Sequence, residues 1–133
     1  MTIESKKILA EISVGELLDK MSILEIKLDE VINVDSRKEI NKEYKILKKL
    51  QKSKVEMTDK MKLLFKDIKN VNLNLWNIED KLRICEKNKD FGQNFVKLAR
   101  NVYFNNDKRS KIKREMNKIS DSDIKEIKQY VNY

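Results

Sequence analysis

Residues 61–85 read MKLLFKDIKNVNLNLWNIEDKLRIC. Their apolar positions are Met61, Leu64, Ile68, Val71, Leu75, Ile78, Leu82 and Cys85, and the steps between them alternate three and four throughout. That spacing keeps one apolar edge on one side of a helix, so it predicts a long helix with a heptad seam. Thr58 stands where an N-cap is wanted, and the helix extends to about Asn88. At 1.5 Å per residue it is roughly 45 Å long. The rest of the chain is read as packing around it.

Composition agrees. The chain has 133 residues, no proline and two glycines, so little interrupts helix formation. Charged residues make up 39% and aromatics 7%, which suits amphipathic helices better than a sandwich or barrel. The expected fold is all-α, a single-domain antiparallel bundle of about four helices around one long central helix. The absence of histidine removes the commonest metal ligand and the usual general base. The single cysteine, Cys85, has no internal disulfide partner and reads as a small seam residue. No apolar run spans a bilayer and no signal-peptide pattern is present, so a cytoplasmic protein without a membrane partner is expected.

The remaining helices follow from their caps. Ser13-Val14-Gly15-Glu16 is a capping box, and the helix it opens runs to about Ile32. Val14, Leu17, Leu18, Met21, Leu24, Leu28 and Val31 form its stripe, widened by Ile23 and Ile26. Ser36-Arg37-Lys38-Glu39 repeats the pattern and opens a second helix with the narrower stripe Ile40, Tyr44, Leu47 and Leu50. Asp90, with Gln93 three residues on, caps a fourth helix ending near Ile119. Its seam is Phe91, Phe95, Leu98, Val102, Asn105, Arg109, Ile112, Met116 and Ile119. The first twelve residues alternate weakly. The tail, with Ile127, Gln129, Val131 and Tyr133 on one parity, packs back on the bundle. The two termini form either a short β ribbon or single helical turns.

Asn105 and Arg109 are polar where the fourth seam should be apolar. A buried arginine must be paired, because desolvating a lone charge is costly. Antiparallel pairing about the turn at Asn88 sets Arg100 beside Trp76 and Arg109 near Ile68. Asp19 and Glu25 of the first helix lie at the height of Arg109. On the central helix Trp76, Glu79, Asp80, Arg83 and Glu86 flank the seam. These groups form either helix-surface ion pairs around one indole or an aromatic-walled binding surface.

Other chemistries have weaker signals. Glu79, Asp80, Glu86 and Asp107 could hold Mg²⁺ through oxygen, but Arg83 stands where all-helical pyrophosphohydrolases carry a further carboxylate. No nucleophile triad and no glycine-rich phosphate loop is present, so no catalytic residue, metal site or cofactor is assigned. The net charge of +8 suggests nucleic acid. Its lysines spread through every segment, however, and no aromatic platform interleaves those of the second helix, so nucleic acid is not the expected partner.

Three segments together resemble an uncharacterised family of small bacterial proteins. They are GELLDK-x-x-ILEIK from Gly15, LW-x-IED-x-x-R from Leu75, and LAR-x-VY-x-x-ND-x-R from Leu98 to Arg109. The resemblance covers about residues 12–130. Such relatives look like stand-alone proteins or segments found with sugar-transfer and surface-polysaccharide machinery, which implies a role in glycan metabolism but no reaction. The resemblance falls on the residues that the helix geometry grouped. The candidate ligand-binding residues are therefore Lys20, Glu25, Lys27, Trp76, Glu79, Arg100, Tyr103, Asn106 and Arg109. They would serve an anionic small molecule, with Lys20, Arg100 and Arg109 on the anion and Trp76 or Tyr103 stacked on a ring, or a partner protein. A second copy of the chain docking on the central seam is one alternative, and nonspecific nucleic-acid binding through the lysine-rich faces is the other.

Overall fold

The structure, a computed structural model, describes residues 7–122 and 126–133. It contains four helices in chain order: α1 (Val14–Glu30), α2 (Val34–Lys54), α3 (Asp59–Lys87) and α4 (Gln93–Ser120). α3 is the long central helix. Together with α4 it forms an antiparallel hairpin, and this pair shares the most extensive interface. α1 packs across both arms of the hairpin, and α2 folds back along α1.

The core sits where three helices meet. Leu17, Leu18 and Met21 of α1 pack with Met61, Leu64 and Ile68 of α3 and Met116 of α4. Tyr44 and Leu47 of α2 close this cluster from outside. The α3 seam is buried from Met61 to Val71, half-buried at Leu75, Ile78 and Leu82, and buried again at Cys85. The change marks where the bundle thins toward the tip of the hairpin and the seam has fewer neighbours to cover it.

Capping chemistry sets the boundaries. Ser13 Oγ accepts from the Glu16 amide at 3.0 Å and Thr58 Oγ1 from the Met61 amide at 3.2 Å, both at the expected N-caps. α2 begins earlier than its capping box predicts. Asn33 Oδ1 accepts from the Ser36 amide at 2.9 Å, so Ser36 is the capped residue and not the cap. α1 stops at Glu30, short of Ile32. There Arg37 of α2 donates to the Leu28 carbonyl, and to the Val31 carbonyl at 3.0 Å, satisfying groups that a helix end leaves open. Asp90 does not cap α4. Its carboxylate accepts from the Gly92 amide at 3.2 Å in a local turn, after Lys89 has reversed the chain at φ 53°, and the helix starts at Gln93.

The β ribbon is not formed: no strand occurs among the described residues. Residues 8–12 are exposed, so their alternation buries no face. Residues 126–133 are neither strand nor helix. Their end returns to α4, where the Tyr133 ring packs on Tyr103 and Phe104 at 5.4 and 5.5 Å and its hydroxyl donates to Asp107. The expectations for residues 1–6 and 123–125 fall outside the described residues. No helix is long and apolar enough to cross a membrane among the described residues.

Candidate functional site

The opening residues of α1 set the geometry. Gly15 lies against α4 so closely that a Cβ there would meet the Lys113 carbonyl oxygen at 2.7 Å. Its amide donates to Asn117 Oδ1 at 2.7 Å, and the Val14 amide donates to Ser122 Oγ at 3.3 Å. The open amides of the α1 start are thus answered by side chains of the Ser13 cap and the α4 end. This contact fixes α1 antiparallel to α4, and successive polar residues of α1 then meet successive cations of α4.

Asp19 lies one turn further along and is 1% exposed. Its carboxylate accepts from Arg109 at both oxygens, Nε to Oδ1 at 2.9 Å and Nη2 to Oδ2 at 2.5 Å. Asn72 Nδ2 donates to Asp19 Oδ1 and to Ser22 Oγ, each at 2.8 Å, and Ser22 donates on to the Asp19 carbonyl at 2.7 Å. Both oxygens of this buried carboxylate are thereby satisfied, as a low-dielectric site requires. The hydrogen bonds from Arg109 to Asp19 outweigh its partial burial, and its pKa rises above the usual arginine value.

Lys113 continues the network. It is 6% exposed, and its ammonium lies 2.7 Å from Glu16, 3.1 Å from Glu126 and 3.9 Å from Asp19. Burial alone would lower the lysine pKa, but the hydrogen bonds to Glu16 and Glu126 and the neighbouring Asp19 more than reverse it. A lysine held charged in this way is no nucleophile. It locks the two helices in register. On α1's other side Glu25 accepts from Tyr44 at 2.9 Å and from Lys69 at 3.0 Å. Burial, helped by the Glu25 carboxylate, pushes the Tyr44 hydroxyl up to about 12.

Against this network opens a groove of about 460 Å³. Ile23 and Ile26 of α1 form one wall. Leu75, Trp76, Glu79, Asp80 and Arg83 of α3 form the other, with Asn72 and Arg109 also lining it. The residues at 76, 79, 80 and 83 share a face because helical neighbours recur at three and four positions. Glu79, Asp80 and Arg83 make no ion pair or hydrogen bond to side chains among the described residues. Arg109 is fixed by Asp19 along one edge, and its side chain keeps 30% of its surface exposed. Its remaining N–H groups are free to donate.

Of the expected ligand-binding residues, the structure brings Trp76, Glu79 and Arg109 together in this groove. The others lie elsewhere. Arg100 lies over the Phe104 ring at 5.5 Å and does not line the groove beside Trp76. Tyr103 packs on Phe104 and Tyr133. Glu25 pairs with Lys69 and not with Arg109. Lys20 is exposed, and Lys27 and Asn106 are half-buried, all three outside the groove lining. Sequence reasoning did not assign Ser22, Lys113 or Asn117 to the site, and it read Glu16 only as part of the capping box. The signal for Lys113 was present. Glu16 and Asp19 are one turn apart on α1, as Arg109 and Lys113 are on α4, so antiparallel helices must bring the two pairs together.

Fold and site together define a helical-bundle domain with a buried polar layer beneath a mixed-charge groove. A family model matches residues 8–133, and the chain belongs to that family, a family of unknown function (DUF6165). No curated protein and no solved structure matches the chain.

Proposed function

We propose that the protein is a cytoplasmic binding protein whose groove takes an anionic, ring-bearing small molecule of glycan metabolism. The observation that carries this reading is the Asp19–Arg109 pair. A buried carboxylate aims the guanidinium, so one edge is spent on Asp19 while the rest borders a groove walled by Trp76. An arginine oriented beforehand loses less freedom on binding a phosphate or carboxylate than a mobile lysine does. Arg83 supplies a second cation on the same groove, and the indole offers a flat face for a ring. The resemblance of three segments to small bacterial proteins found near sugar-transfer machinery supports a ligand of that metabolism. Trp76 is the only tryptophan, so its fluorescence reports on the groove directly. A screen of sugar phosphates and nucleotide sugars should produce saturable fluorescence changes and a raised melting temperature. No response from any of them discards the reading.

A second reading is a homo-oligomeric scaffold. Leu75, Ile78 and Leu82 are only half-buried, and Phe91 and Val96 near the hairpin tip are about half exposed. A second hairpin could cover them. Light scattering that finds a monomer at high concentration removes this reading.

A further inference from the structure

The tail lies against α4 with little to hold it. Residues 127–133 are exposed, and the backbone of 126–133 makes no hydrogen bond to a helix among the described residues. One anchor is the Tyr133 ring on Tyr103 and Phe104. The other is Glu126, whose carboxylate lies 3.1 Å from the Lys113 ammonium. Two cavities of about 380 and 560 Å³ open beside that carboxylate, and Arg114 and Glu126 line both. Asn117, Lys118 and Asp121 complete the smaller one. Asn117 is the group that this arrangement leaves unsatisfied. The residue is 2% exposed, and its Oδ1 accepts from the Gly15 amide at 2.7 Å. A flipped amide would set two donors against each other, so that hydrogen bond fixes its orientation. Nδ2 is then the end left for the cavity, buried and without a hydrogen-bond partner. An unanswered buried donor is costly, and Glu126 does not answer it.

We infer that Glu126 is a built-in occupant of a second anion site, separate from the groove beside Trp76, and that a singly charged phosphate enters this site by displacing it. Charge supports an exchange and not an addition. Among the described residues, Arg109, Lys113, Arg114 and Lys118 stand against Glu16, Asp19, Asp121 and Glu126, so an added anion meets no excess of cations. Replacing one carboxylate by one singly charged oxyanion keeps that balance. The exchange gains oxygens. A phosphate accepts from Lys113 and from Asn117 Nδ2 together, and from Arg114, whose guanidinium bonds only to the Ser110 hydroxyl among the described residues. Glu126 moves out into water, and the exposed residues that follow it lose little by moving with it.

The test adds inorganic phosphate or acetate to the isotope-labelled full chain and follows its amide resonances. Mildly acidic buffer at constant ionic strength keeps both probes chiefly singly charged. Phosphate should shift the amides of residues 114–118 and the Asn117 side-chain amide saturably, and acetate should bind more weakly. A self-ligand seated in about nine of ten molecules lowers apparent affinity about tenfold, so Glu126→Ala should bind phosphate about tenfold more tightly. Asn117→Asp keeps an acceptor for the Gly15 amide but turns the donor into a repelling oxygen, so it should bind none. Should that variant not fold, R114Q/K118Q, which alters only exposed side chains, must weaken phosphate binding. The proposal is overturned if phosphate causes no saturable shift at 114–118, if Glu126→Ala binds no more tightly than the unaltered chain, or if acetate binds as well as phosphate. Shifts confined to residues 76–83 and Arg109 would put the phosphate in the groove and discard this second site while the groove reading stands.

Discussion

Arg109 and Asp19, ninety residues apart in sequence, meet through two parallel hydrogen bonds of 2.9 and 2.5 Å. The pair does two things at once. It ties α1 to α4 at the level where the hairpin emerges from the core, and it presents the remaining guanidinium edge to the groove. Its partners are unequal. Asp19 is buried, while the Arg109 side chain keeps nearly a third of its surface. Losing Arg109 therefore leaves the buried Asp19 charge with only Asn72 and the more distant Lys113, whereas losing Asp19 frees an arginine that can turn to water. Breaking a buried pair on one side costs about 3–5 kcal/mol. Arg109→Met should reach that range in urea denaturation. Asp19→Asn should cost less, about 2 kcal/mol, because the amide keeps an acceptor for Asn72 and the charge left behind, on Arg109, is partly exposed. Equal costs for the two substitutions would contradict this asymmetry.

Gly15 is the second point of close approach. Alanine is about 1 kcal/mol better than glycine inside a helix, so Gly15→Ala would stabilise α1 in isolation. In the bundle the new methyl would meet the Lys113 carbonyl at 2.7 Å and its Cα at 3.1 Å. Both are backbone atoms, so relief requires α1 and α4 to separate. That separation stretches the Gly15–Asn117 hydrogen bond and the ion pairs that follow it. Overpacking costs about 1–3 kcal/mol, which exceeds the propensity gain. Gly15→Ala should lower the melting temperature, and a rise would show that the helices do not touch there.

Tyr44 provides a pH test. Its pKa rises from 10.0 to about 12 in the folded chain. A raised folded pKa means that the folded state prefers the protonated form. The contribution is complete below pH 10, falls as pH rises toward 12, and is lost above it. Unfolding free energy should therefore decline through this window, and Tyr44→Phe should remove part of the decline. Absorbance titration at the tyrosinate band should show one tyrosine ionising last. All four ionising together near pH 10 would contradict the Tyr44–Glu25 contact.

The helices were legible because periodicity and caps are local. The seam steps from Met61 to Cys85 and the caps at Ser13 and Thr58 each depend on a few adjacent residues, and the structure keeps all three. The exceptions are also local, but they are competitions. Asn33 captured the Ser36 amide, and Asp90 spent its carboxylate on Gly92. Asp19 could be matched to Arg109 because a lone arginine in an apolar seam must find an acid. Arg100 could not be placed, because counting outward from a turn fixes height along a helix but not which side of it a residue faces. The β ribbon failed for a related reason: alternation in a short stretch says nothing without a second surface to bury it.

The seam on α3 makes a graded prediction, because one repeat passes through two environments. Ile68 is fully buried among side chains of α1 and α4, whereas Leu82 is half-buried where the hairpin narrows. Removing a buried aliphatic side chain costs its transfer energy and also leaves a cavity, together about 2–5 kcal/mol. Ile68→Ala should fall near the top of that range, about 4 kcal/mol, since close-packed neighbours on three helices cannot collapse into the gap. Leu82→Ala should cost about 1–2 kcal/mol, because much of its surface is wet already and no enclosed cavity forms. The comparison also bears on the oligomeric reading. A monomer must show the steep gradient at every protein concentration. If a second copy covered the tip, Leu82→Ala would become costlier as concentration rises while Ile68→Ala would not, because association stabilises by mass action only what it buries.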